Sequence, residues 1–159
     1  LYISVLMSLF LTSCGSQKKI MVKPPVFEFG SSMPEMKERL SALSDSITVR
    51  LNEPIQLPTA KNSQSQLDVH GFMYAGKKRK VELIFADDAL DIVWILTEAH
   101  EEQQFVNHFK SLYGEPTHST HEATFFITNA TAVRNKPHEI LFISERLIAP
   151  YKQFLQNQK

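Results

Sequence analysis

Hydrophobic positions along the chain change period several times, and each change marks an element. Residues 1–13 carry no charge, and Leu, Ile, Val, Met and Phe dominate them as far as Leu11. From Ser32 the period is helical: Met33, Met36, Leu40 and Leu43 recur at spacings of three and four, with Lys37, Glu38 and Arg39 turned to water. Ser32 followed by Glu35 predicts a capping box, and Pro34 suits a first turn, where its missing N–H costs nothing. The period then falls to two. "SITVRLNE" alternates Ile47, Val49 and Leu51 with polar neighbours and reads as a short strand, while "PIQLPTAKNSQSQ" reads as a loop. "LDVHGFMYA", "KVELIFAD" and "LDIVWIL" are rich in β-branched and aromatic residues. Turn material at Gly76-Lys77-Lys78 and Asp87-Asp88-Ala89 separates them, and connections so short demand an antiparallel meander.

The helical period returns in "TEAHEEQQFVNHFKSLYGEP", with acids at the start to meet the helix dipole and Phe105, Phe109 and Leu112 on one face. Gly114 and Pro116 stop it. "EATFFIT" and "HEILFIS" predict a hairpin around "NATAVRNKP", and a last helix is expected from about Glu145 to Gln156, perturbed by Pro150, docking Tyr151 and Phe154. The expected fold class is α+β: an antiparallel sheet with helices on one face, in the order α-(β)-βββ-α-ββ-α.

Composition narrows the function classes. The 159 residues are 43% hydrophobic and 21% charged, which is enough apolar material for one folded domain. Lys plus Arg and Asp plus Glu number 17 each, so no bulk field favours nucleic acid as a partner. One cysteine, Cys14, forms no intrachain disulfide and no thiolate-cage zinc site.

That cysteine closes the uncharged opening, and Lys18, Lys19 and Lys23 follow it closely. The apolar run is shorter than the ~20 residues of a membrane span and matches a secretory h-region followed by small residues. Basic residues that would lead such a signal are not among residues 1–13. Leu11-Thr12-Ser13-Cys14 resembles the lipobox of bacterial lipoproteins. The resemblance implies cleavage between Ser13 and Cys14, acylation of the Cys14 thiol and amino group, and attachment to a membrane of the bacterial envelope, most naturally the periplasmic side of the outer membrane. Residues 1–13 are then a signal peptide, 14–28 the lipidated cysteine and a tether, and 29–159 one α+β domain. The expected layout, with "LYGEP" ending the second helix, also resembles the small periplasmic modules of the β-lactamase-inhibitor-protein type and the accessory lipoproteins of outer-membrane barrel assembly. It implies a non-catalytic module that binds an envelope protein by a strand edge or a sheet face.

Chemistry-bearing patterns compete with that expectation. His118, His121 and Glu122 in "HSTHE" are the best metal or catalytic candidates, yet HxxHE is neither HExxH nor HxxEH, and solvated loop histidines explain it more simply. A small envelope hydrolase or metal-dependent enzyme would use that loop. Phe72, Trp94, Phe125 and Phe126 could line a carrier site for an apolar ligand, although aromatics in strands are usually core. "GKKRK", residues 76–80, reads as a solvated turn, and Asp87, Asp88 and Asp91 read as turn residues because the later glycine and glutamate of a calcium loop are absent. Glu82 is expected on a solvent face. No nucleophile elbow or glycine-rich phosphate loop occurs, and no cofactor is expected.

Overall fold

A computed structural model describes residues 22–51 and 54–157. Helix α1 (Met33–Ser41) leads a four-strand meander of β1 (Ser46–Leu51), β2 (Gln64–Tyr74), β3 (Lys77–Ala86) and β4 (Ala89–Leu96). Helix α2 (Glu102–Tyr113) leads a second one of β5 (His118–Ser119), β6 (Ala123–Phe126), β7 (Thr131–Asn135) and β8 (His138–Ile143), and α3 (Glu145–Gln156) follows it. The eight strands of the described residues form one antiparallel sheet in the order β1-β2-β3-β4-β8-β7-β6-β5, so each helix-plus-meander unit contributes one half and β4 meets β8 at the join. The fold is α+β. Two strands beyond the expected set are present: β7 lies inside the stretch read as a hairpin loop, and β5 lies inside "HSTHE".

Local chemistry explains the boundaries. Ser32 accepts from the Glu35 N–H while the Glu35 carboxylate accepts from the Ser32 N–H, which closes the capping box and holds the Glu35 carboxyl below its usual range. Ala75-Gly76 and Asp87-Asp88 turn the first meander, and positive φ at both central residues matches the twist of the strands they join. Gly71, φ +78°, sits where the β2–β3 register shifts, and a Cβ there would run into the Asp45 carboxylate.

Strand alternation splits the apolar residues between two faces. Leu67, Val69, Val81, Leu83, Val93, Ile95, Ile140 and Phe142 point to one face, where α1 and α2 cover them with Met36, Leu40, Phe105 and Phe109. Ile84, Ile92, Leu141 and Ile143 point to the other, where α3 packs with Leu147, Ile148 and Tyr151. The expectation of all helices on one face therefore holds for α1 and α2, whereas α3 takes the opposite side. Leu112, expected inward, is exposed, and Val106 and Tyr113 pack against the core instead. Phe27 is fully buried 4.9 Å from the Phe72 ring, so the packed domain begins before residue 29 and the end of the expected tether belongs to it. No helix among the described residues is long and apolar enough to cross a membrane.

Candidate functional site

The α3 side of the sheet is only partly covered. Between α3 and a strap of residues 54–63 lies a cleft of about 500 Å³, floored by Gln64, Gln66, Glu82, Ile84, Ile92 and Trp94 and walled by Leu57, Pro58, Tyr151 and Phe154. A smaller hollow of about 280 Å³ adjoins it, shares Trp94, Tyr151 and Phe154, and adds Phe125 and Arg134.

Three polar side chains, one exposed and two buried, hold the strap in place. The Asp87 carboxylate accepts from the backbone N–H groups of Lys61, Asn62 and Ser63 at 2.7–2.9 Å, which keeps its pKa below the usual range. Asp91, fully buried, accepts from Thr59 Oγ1 at 2.6 Å and Ser144 Oγ at 2.6 Å and pairs with Arg146 at 2.8 Å. It thus ties the strap to β4 and the start of α3. Gln64 Oε1 accepts from the N–H groups of Gln56 and Leu57 at 2.9 and 2.8 Å. Asp87 is the turn residue expected and also fastens the cleft wall, whereas Asp91 lies in β4 rather than in the turn and fastens the wall from there. Asp88 does sit in the turn and also accepts from the Met33 N–H.

Charges across the floor are paired. Arg50 lies 2.8 Å from Asp68, and Lys80 lies 2.6 Å from Glu82, which faces the cleft partly buried rather than standing free in solvent. Burial raises the Asp68 pKa, but hydrogen bonds from Arg50 and Gln66 outweigh it and the net shift is downward. On the far side of Trp94, Arg134 covers the indole at 4.5 Å from the ring centroid and contacts the carboxylate of Glu139. Glu139 is only 3% exposed, and burial pushes its carboxyl up to about 7 against the opposing pull of Arg134.

The residues singled out from sequence fare differently. His118 pairs with Phe125 in the short edge strand β5, while His121 and Glu122 stand in water beyond it, 89% and 62% exposed. His118 and Glu122 line different depressions, so the loop does not converge. Among the described residues, no group of three or more His, Cys, Asp or Glu is placed to hold a metal ion. The four aromatics divide by face: Phe72 and Phe126 are buried under α1 and α2, whereas Trp94 and Phe125 are half-buried on the α3 side. Within "GKKRK", Lys78 pairs with Asp45 on the surface, but Arg79 is buried and grips Glu101 through both guanidinium ends, at 2.5 and 2.8 Å, assisted by Lys77. That correction has a simple origin: Arg79 shares the face of Val81 and Leu83, so its charge needs a buried partner. Ser13 and Cys14 lie outside the described residues.

Gln64, Gln66, Arg134 and Glu139 belong to no sequence motif. The alternation Gln64, Gln66, Asp68 in "QSQLDV" was the available signal, since period-two polar residues opposite buried ones mark a face built for something other than core. Comparison with known families, curated proteins and solved structures gives no match.

Proposed function

We propose that the protein is a lipid-anchored bacterial cell-envelope protein whose α+β domain is a non-catalytic module that docks an extended segment of a partner protein on β1. The observation that carries the docking mode is the contrast between the two sheet edges. β1 runs for six residues without a bulge at the open end of the sheet, and Val49 and Leu51 on it are 45% and 81% exposed, whereas the other edge, β5, has two residues. An edge strand offers a row of unspent N–H and C=O groups, and proteins usually blunt such edges with lysine, proline or bulges. β1 has no lysine, proline or bulge, its one charge, Arg50, is turned to the sheet face and paired with Asp68, and the exposed apolar side chains of Val49 and Leu51 suit alternate pockets of an added strand. Leu11 to Cys14 supports the anchor, with two or three acyl chains at about 0.8 kcal/mol per buried methylene holding the domain to a bilayer. The periplasmic face of the outer membrane is the expected location.

A photoreactive residue at position 51 tests the docking mode. Illumination of intact cells is expected to give a discrete adduct with one envelope protein, lost in a Val49→Lys variant of the same protein. An adduct that persists with Val49→Lys, or appears only from a probe at Lys152 on α3, would move the partner surface elsewhere.

A further inference from the structure

We propose that the cleft between the strap and α3 binds a neutral oligosaccharide. This site is separate from the β1 edge and does not depend on it. Three features of its lining select the ligand.

The floor is mixed. Gln64 and Glu82 stand among Ile84, Ile92 and Trp94, so a hydrocarbon guest would strip water from an amide and a carboxylate and return nothing to them. Formal charge, by contrast, is already answered inside the protein: Asp68 by Arg50, Glu82 by Lys80. An ionic guest would have to displace one of those partners or stay unpaired. The ligand that fits is uncharged yet rich in hydrogen-bonding groups.

Donor and acceptor are placed beside a flat ring. Gln64 lines the cleft, and its carbonyl oxygen is spent on the strap N–H groups, which leaves its NH2 end as the donor it offers a ligand. Glu82 meets both Lys80 and Arg50 through Oε1, so Oε2 remains as acceptor. Trp94 lies between the two hollows, with Arg134 over it on the side of the smaller one, and this backing fixes the indole as a platform. A pyranose ring carries the matching set: C–H faces that pack flat on an aromatic, and a rim of hydroxyls that each donate and accept. An extended peptide finds less here, because β2, β3 and β4 are interior strands whose backbone groups are already paired. A volume of about 500 Å³ falls within the roughly 300–1,000 Å³ of small-ligand sites.

The chain has one tryptophan, so its emission reports on the cleft directly. Full-length protein in detergent would be titrated with chitotriose, cellotriose, maltotriose and mannotriose, with palmitate and a proline-rich peptide as competitors of other classes. The expected result is a saturable change in Trp94 emission with at least one trisaccharide. Gln64→Glu keeps the oxygens that hold the strap but removes the NH2 donor, and should weaken binding about tenfold. Phe154→Ala, at an exposed rim position, should weaken it without unfolding the protein, and Leu51→Lys on β1 should leave it unchanged. The proposal is overturned if no trisaccharide gives a saturable response, if palmitate or the peptide gives one instead, or if both cleft variants bind as the parent does. None of these outcomes touches the β1 adduct, so the two readings fail separately.

Discussion

The two faces of this sheet bury the same alternating strands to different ends. Under α1 and α2, Phe27, Phe85, Phe105, Phe109 and Phe126 are almost wholly sealed, and the ring of Phe109 lies within 5.7–6.3 Å of those of Tyr113, Phe126 and Phe142. The buried charges there among the described residues, Arg79 and Glu101, are matched end to end. Under α3 the floor carries Gln64, Gln66, Asp68, Glu82, Arg134 and Glu139, and one helix with one strap leaves part of it open. The first face is a sealed core, and the second keeps a polar floor partly open. What differs is the cover rather than the strands: two amphipathic helices seal a face, whereas a helix and a polar-tethered loop leave a cleft between them.

The largest expected effects separate the faces by packing. Phe109→Ala removes a fully buried aromatic from a closed core and should cost about 3–5 kcal/mol in urea unfolding. Trp94→Ala should cost only about half as much, because the indole is half-buried beside a cleft and gives up fewer contacts. The single tryptophan should accordingly emit at a wavelength between those of buried and solvated indole. Equal costs for the two variants, with fully blue-shifted emission, would mean that the α3 side is as dry as the other and that the contrast is mistaken.

How much of this was legible in the sequence depended on whether the decisive forces are local. The capping box at Ser32, the stop at Gly114 and the span of α3 all come from residues a few positions apart, and all are found as expected. Which side α3 takes is not local. β4, "ALDIVWIL", is apolar on both faces, so alternation shows that both are covered but not which helix covers which. β7 escaped because "TAVRN" is short and its Arg134 faces Trp94, so its polar position looks like loop chemistry. The cleft was the least visible of all, since it is assembled from a strap, three strands and a helix far apart in sequence, each fastened by aspartates or amides that resemble ordinary turn residues.

Acidity should sharpen the comparison next. Hydrogen bonds from Arg79 hold Glu101, on the closed face, down to about 2, below its ordinary value of about 4.3. Its stabilisation is complete above the unfolded value and is lost as pH falls through the interval from about 4.3 to 2. Glu139, on the open face, is raised by burial to about 7, so the folded state binds its proton more tightly than the unfolded chain does. Stability from this group is therefore greatest below about 4.3 and falls as pH rises to 7. Glu139→Gln should abolish the upper slope and add about 2 kcal/mol at pH 8, since Arg134 is 36% exposed and can turn toward water when its partner becomes neutral. Glu101→Gln should do the reverse, destabilising the protein at neutral pH and flattening the acid limb. Urea unfolding at pH 3 to 8 reads both. A parent protein whose stability is level from pH 5 to 8 would refute the assignment for Glu139.

The smallest effect is expected where sequence chemistry looked most promising. His118, His121 and Glu122 lie at the short β5 end of the sheet, and His121 meets Glu122 at 3.4 Å with both side chains largely in water. Zinc would have to draw His118 out of its pairing beside Phe125 and order two solvated side chains before three ligands could converge, at an entropic cost for each. A ligand at 100 times its dissociation constant adds about 2.7 kcal/mol of stability, so even a micromolar site would be plain in a melt. Zinc added after chelation is expected to shift stability by less than about 0.5 kcal/mol, and the His118→Ala, His121→Ala double variant should behave as the parent does. A specific rise of several degrees that vanishes in the double variant would give the β5 end a site the two faces lack, and would shift the functional weight from the cleft to that edge.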